Sequence, residues 1–199
     1  MMQISIIKGH PQSKAGAKLN LMALGYMAYA IAGSEEESIL EDTFLQLWQL
    51  ENNRFSYQYA FEAQVNGETL GMIICYPVPV MKRLAWPTFQ QAFSYRKLGL
   101  VGYNLLNIRL FHAMAIMKEG EDDEFHIGTI ATLPESRGMG IGTQLLNVAE
   151  EQAALQNLVK CSLTVKKENQ LGVKLYERIG YRIIGEMNRP ALYKMVKLL

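Results

Sequence analysis

Three glycines at alternate positions, Gly138, Gly140 and Gly142, follow Arg137 where an apolar strand-like run ends and an amphipathic run begins. Glycine has no Cβ, so such a backbone can curl its N–H groups around a phosphate and let it approach closely. A helix after the glycines adds unpaired N-terminal N–H groups and the positive end of its dipole. A diphosphate is the natural guest. Spacing excludes two common owners: a dinucleotide fingerprint needs G-x-G-x-x-G and a P-loop needs G-K-[ST], whereas Gly142 is followed by Thr143.

A second motif is Asn169 to Tyr181, NQLGVKLYERIGY. Asn169 suits a helix N-cap, where its side-chain oxygen accepts a backbone N–H. Tyr176 then lies two turns on, about 10 Å along the same face. Gly180 can take the left-handed conformation that ends a helix, and Leu171, Leu175 and Ile179 recur every fourth residue on one side. Each motif alone has a plain alternative: a tight turn for the glycines, an ordinary core side chain for the tyrosine. Both occurring with a strand-helix-strand pattern between them is what separates the readings. Together, Arg-x-x-Gly-x-Gly at Arg137 to Gly142 and the Asn169…Tyr176 helix resemble the GNAT superfamily of acyl-CoA-dependent N-acyltransferases. Gly172 stands where alanine is usual and Tyr181 where phenylalanine is usual.

The resemblance implies transfer of an acetyl group from acetyl-CoA, as co-substrate and without a metal, to a primary amine on a small molecule or protein by direct attack in a ternary complex. It implies that Arg137, Gly138, Met139, Gly140, Gly142 and Thr143 hold the pyrophosphate, and that Asn169 and Tyr176 flank the cofactor. Backbone groups of Ile130, Ala131 and Thr132 pair with the pantetheine arm in this reading, with the Ile130 N–H as the oxyanion contact. Tyr176 is the candidate acid for the leaving thiolate. His126, expected on one strand face with Gly128, Ile130 and Thr132, is a candidate base, and equally a satisfied core histidine. Glu62, on the polar face of its strand, and Glu124 are the next candidates; both also read as solvated surface charges. Many members of the family carry an acid near the position of Gly128; a chain without one has a different acceptor or base.

The elements that must position these residues follow from period and punctuation. Gln3 to Lys8 is a short strand, and Pro11 to Ala32 reads as one helix, apolar almost all round. Ser34-Glu35-Glu36-Glu37 has the capping-box pattern, starting a helix to about Glu51. Tyr57 to Val65 alternates apolar and polar; Asn66-Gly67 turns it into Thr69 to Tyr76, an antiparallel central strand. Pro77 to Gly120 predicts one or two helices. Then come strand Phe125 to Leu133, helix Gly140 to Asn157, strand Leu158 to Val165, helix Asn169 to Ile179, and closing strands Tyr181 to Glu186 and Leu192 to Val196. The expected architecture is one α/β (α+β) domain over residues 1–199. Its GNAT-like mixed sheet is flanked by helices, in the order β-α-α-β-β then β-α-β-α-β-β, with a helical insertion at 77–120 on the substrate side.

With 199 residues, a formal net charge of +1 and a pI near 7.7, no field of one sign advertises nucleic acid or a membrane as partner. Cys75 and Cys161 sit inside apolar runs, as buried thiols do in a reducing compartment, and the expected location is the cytoplasm. The uncharged stretch Leu19 to Ser34 resembles a signal-peptide core, but is shorter than the ~20 residues of a membrane span and supplies a helix the fold needs. Two other functions fit parts of the sequence. A non-catalytic acyl-CoA sensor would keep the phosphate loop, and an assembly protein, including a homodimer, would use the apolar helix Leu21 to Ala32.

Overall fold

The computed structural model describes residues 3–115, 117–188 and 191–199. Seven strands form one sheet: β1 (Ile4–Lys8), β2 (Ala60–Val65), β3 (Glu68–Pro77), β4 (Phe125–Thr132), β5 (Lys160–Lys166), β6 (Arg182–Asn188) and β7 (Ala191–Leu198). Their order across the sheet is β1-β2-β3-β4-β5-β7-β6, with β4 and β5 parallel and the other neighbours antiparallel. Helices α7 (Ile141–Leu155) and α8 (Gln170–Arg178) cover one face. There Phe125, Ile127, Leu145, Leu163 and Tyr176 share a core. On the other face α1 (Lys14–Leu24) lies against β3 and β4, and Leu19, Trp48, Met72 and Ile74 pack together. The mixed, helix-flanked α/β sheet is the one expected.

The Asn66-Gly67 turn is as the dipeptide demands, with φ of 52° and 84°. The strand before it is shorter than its alternation: Tyr57–Tyr59 is a 3₁₀ turn, opened by the Ser56 hydroxyl accepting the Gln58 N–H. The long apolar helix divides at Gly25 (φ 56°) into α1 and α2 (Met27–Ala32). Helix α2 is buried through Ala28, Ala30 and Ala32, while Met27, Tyr29 and Ile31 are half-buried. The capping box does not form: α3 (Glu37–Gln49) has Glu36 as N-cap, and the Ser34 hydroxyl instead accepts the Glu36 N–H. The main chain beyond Ser34 is extended at Glu36, so the helix starts too late for that serine to reach it.

Between β3 and β4 stand three helices, where the sequence suggested one or two: α4 (Val78–Arg96), α5 (Leu98–Leu106) and α6 (Ile108–Ala115). The break after α4 falls at Lys97, which has φ of 49°. Beside it the Arg96 Nε donates to the Ala32 carbonyl at 2.8 Å. A Cβ on Gly33 would stand 2.5 Å from the Leu100 Cα, so a glycine at the end of α2 lets α5 press on it backbone to backbone. These contacts tie the end of α2 to α4 and α5.

Candidate active site

Two irregularities of β4 create the site. Opposite β3, Cys75 pairs with Ile127 but Ile74 pairs with Thr129, which leaves Gly128 as the extra residue of a bulge. Side-chain alternation therefore changes phase. His126, Thr129 and Ala131 belong to the face that carries Tyr76 and Met72, and Ile127 and Ile130 to the face under α7. The expectation that His126 shares a face with Ile130 and Thr132 is thus corrected, because an uninterrupted period of two does not survive the inserted residue.

The second irregularity is a parting of strands. β4 and β5 pair only from Phe125–Cys161 to Ile127–Leu163. Beyond that point β4 stays with β3 as far as Thr132, and β5 stays with β7 as far as Lys166. A cavity of about 90 Å³ occupies the gap, lined by Gly128, Thr129, Ile130, Thr164, Asn169 and Tyr176 among others. Burial pushes the Tyr176 phenol up to about 12, because a phenolate there would lose water without gaining a counter-ion. Asn169 is the N-cap of α8, its side chain accepting the Gly172 N–H at 3.0 Å.

The glycine loop lies beyond the Thr132 end of β4. Pro134–Ser136 form a 3₁₀ turn, Gly138 and Gly140 have φ of 82° and 81°, and α7 begins at Ile141. No side chain caps α7, so its first-turn N–H groups stay unclaimed by one. Arg137, Gly138, Met139 and Gly140 are exposed, and a Cβ on Gly138 or Gly140 would touch nothing within 4 Å. These glycines supply backbone conformation in an open cradle. Gly142 serves packing instead. A Cβ there would meet the Leu175 side chain at 3.1 Å, so its absence lets α7 and α8 close on each other.

The small cavity meets a larger one, about 240 Å³, at Leu24, Met27, Gly128 and Thr164. Its lining includes an ion pair that the sequence did not single out. Arg54, in the loop before β2, donates from Nη2 to both carboxylate oxygens of Glu119 at 2.7 Å. The two groups hold each other ionised: Arg54 is raised, and Glu119 is lowered to about 2 against the opposing effect of its own burial. His126 stands behind, wholly buried, with Nε2 3.6 Å from Glu119 Oε2 and Nδ1 3.1 Å from Ser162 Oγ. Tyr76 closes the group, and a Cβ on Gly128 would lie 2.4 Å from its hydroxyl.

Of the candidate site residues, Ile130, Asn169 and Tyr176 meet in the small cavity, and the glycine loop stands exposed at the head of α7. Glu62 is elsewhere: it is 1% exposed, and its Oε2 accepts from Ser13 Oγ and Thr69 Oγ1, both at 2.8 Å. It lines neither cavity and caps the start of α1 through Ser13. Glu124 is also buried, its Oε2 accepting the Glu121 N–H. Neither is the solvated surface charge that stands as the alternative to a role as base. Arg54 and Glu119 carry no signal in the sequence, since both lie outside the strands, in segments without a motif.

Residues 25–181 match the model of the acetyltransferase (GNAT) family. Among curated proteins none matches the chain. Solved structures with the same fold include an acetyltransferase at TM-score 0.73 and 24% identity, covering 98% of each chain. An N-acetyltransferase from Staphylococcus aureus Mu50 superposes at 0.68 with 23% identity, over 98% of this chain and 100% of its own. PaiA N-acetyltransferase from Thermoplasma acidophilum, in complex with coenzyme A, does so at 0.56 with 15% identity and full coverage of both chains. With the bulged and parted strands, the glycine loop and a family match across most of its length, the chain belongs to the GNAT acetyltransferase family.

Proposed function

We propose that the protein is an N-acetyltransferase that moves the acetyl group of acetyl-CoA to a primary amine. What supports this reading is the presence together of the open glycine loop at the head of α7, the gap where β4 and β5 part, and Tyr176 on that gap's wall. Loop and gap suit a diphosphate joined to a long polar arm. The cradle amides from Gly138 to Thr143 with Arg137 would take the phosphates. Main-chain groups of Ile130, Ala131 and Thr132, with Asn169 across the gap, would take the arm, whose thioester then faces the junction at Gly128.

At that junction the acceptor, having given up one proton, attacks the thioester carbonyl through its nitrogen lone pair. A C–N bond forms, the Ile130 N–H donates to the oxyanion, and the C–S bond breaks with its electron pair going to sulfur. Tyr176 protonates the sulfur and recovers a proton from the nitrogen, so the products are an amide and a free thiol. A phenol raised to about 12 stays protonated through neutral pH. The thiolate it serves lies in the same poorly hydrated gap and is raised with it, which keeps the transfer from being steeply uphill. His126 reaches the larger cavity only through Glu119, so its part as base is indirect; Glu62, outside both cavities, is the weaker candidate.

The test is thiol release from acetyl-CoA across a panel of amines. Tyr176→Phe is expected to lower kcat by about 100-fold while calorimetry shows acetyl-CoA binding little changed. Cofactor binding without amine-dependent release from any acceptor would instead make the protein a sensor.

A further inference from the structure

The larger cavity has walls from several helices and one ion pair at its inner end. Leu24, Met27, Phe55, Phe89, Leu100 and Phe111 give it apolar surface. Among its described lining residues the charged side chains are Arg54 and Glu119, and each is the other's partner. The lining therefore carries no net charge. The pair lies toward the reacting end, because the Tyr76 hydroxyl that would meet a Cβ on Gly128 also donates to the Arg54 carbonyl at 3.5 Å.

We infer that the acceptor is a small primary monoamine with an apolar body, its nitrogen between Glu119 and the Gly128–Thr164 junction and its hydrocarbon among the helices. The inference rests on the amine-acetylating function proposed above and specifies its substrate. The reacting nitrogen must be uncharged at the moment of attack. For a monoamine the whole ligand is then neutral, as its surroundings are. An amino acid would still bring a carboxylate and a diamine a second ammonium, and burying either without a counter-charge is costly. The charge of Arg54 is already balanced by Glu119, so a carboxylate would enter as an excess negative charge. Glu119 has capacity left: a carboxylate accepts about four hydrogen bonds, and among the described residues it receives those from one nitrogen. It can align the arriving ammonium, which releases its proton to water before attack. At about 240 Å³ the cavity lies below the range typical of drug-sized ligands, which favours a small acceptor.

Matched pairs test this with the intact protein and acetyl-CoA. The kcat/KM for phenethylamine is expected to exceed that for phenylalanine by about 100-fold, and butylamine should exceed putrescine similarly. Ala85 is an exposed member of the lining, so Ala85→Phe can narrow the cavity without disturbing the core. It should raise the KM for phenethylamine about tenfold and leave the acetyl-CoA Kd unchanged. Glu119→Gln should also raise that KM, with folding checked by circular dichroism. Phenylalanine or putrescine turning over as well as its partner overturns the inference while amine acetylation stands. So does acetyl-CoA binding with no turnover of either monoamine. Octanoyl-CoA binding tighter than acetyl-CoA, with the advantage lost in Ala85→Phe, would give the cavity to the acyl chain and overturn it too. Absence of any heat with acetyl-CoA would remove the proposed function itself.

Discussion

Gly128 lines both cavities, and Tyr176 lines the smaller one. Gly128 must lack a side chain for a spatial reason, since its Cβ would intrude on the Tyr76 hydroxyl at 2.4 Å. Gly128→Ala is expected to push that hydroxyl toward the acceptor side and cut kcat/KM by about 100-fold, the scale of a misplacement near 1 Å. Acetyl-CoA affinity should change much less. Steady-state kinetics and calorimetry on the same preparation check both; equal losses in both would mean that the bulge itself had collapsed.

At the scale of elements, the glycine loop and the parted strands do different jobs. Gly140 needs its glycine for conformation, with φ of 81° and open space where a Cβ would go. Gly140→Ala is expected to cost about 1 kcal/mol of stability from left-handed strain and to weaken acetyl-CoA binding as the first turn of α7 re-forms. Thermal unfolding and calorimetry measure the two effects; tight binding retained by this variant would mean that the loop amides do not hold the phosphates. Strand β4 is legible as a strand from its sequence, but its bulge is not, because the extra residue shows only against the register of β3.

Across the whole molecule, the Arg54–Glu119 pair ties the loop before β2 to the segment between α6 and β4. Glu119 is lowered from 4.5 to about 2, so the stability it contributes is fully present above pH 4.5 and is lost as pH falls toward 2. The pair is half-buried, so breaking one side costs about 2 kcal/mol, between the exposed and the fully buried cases. Glu119→Gln should therefore be clearly less stable than the native protein near neutrality, with the gap narrowing as the solution is acidified. Urea unfolding at several pH values measures this, and a gap that stays constant would deny the carboxylate its role. Helix α2 buries Ala28, Ala30 and Ala32, while Trp86, Leu98, Leu105, Leu106 and Ile108 on α4–α6 are exposed.

What the chain determined by itself was everything encoded over short distances. Alternate glycines before a helix, an asparagine cap two turns from a tyrosine, and an Asn-Gly turn between two strands each depend on neighbours in sequence. Local stereochemistry made them readable, and with them the fold class and the family. Arg54, Glu119, the flank of Tyr76 and the change of face at Gly128 depend on strand register and on burial, which arise when distant segments pack. A carboxylate's environment is set by what surrounds it in space: Glu62 falls on the polar side of its strand's alternation and is held under α1, whereas Glu119 belongs to no motif and borders the larger cavity. Only the packed molecule could separate them, because desolvation and pairing are properties of the tertiary contacts and leave no period in the sequence.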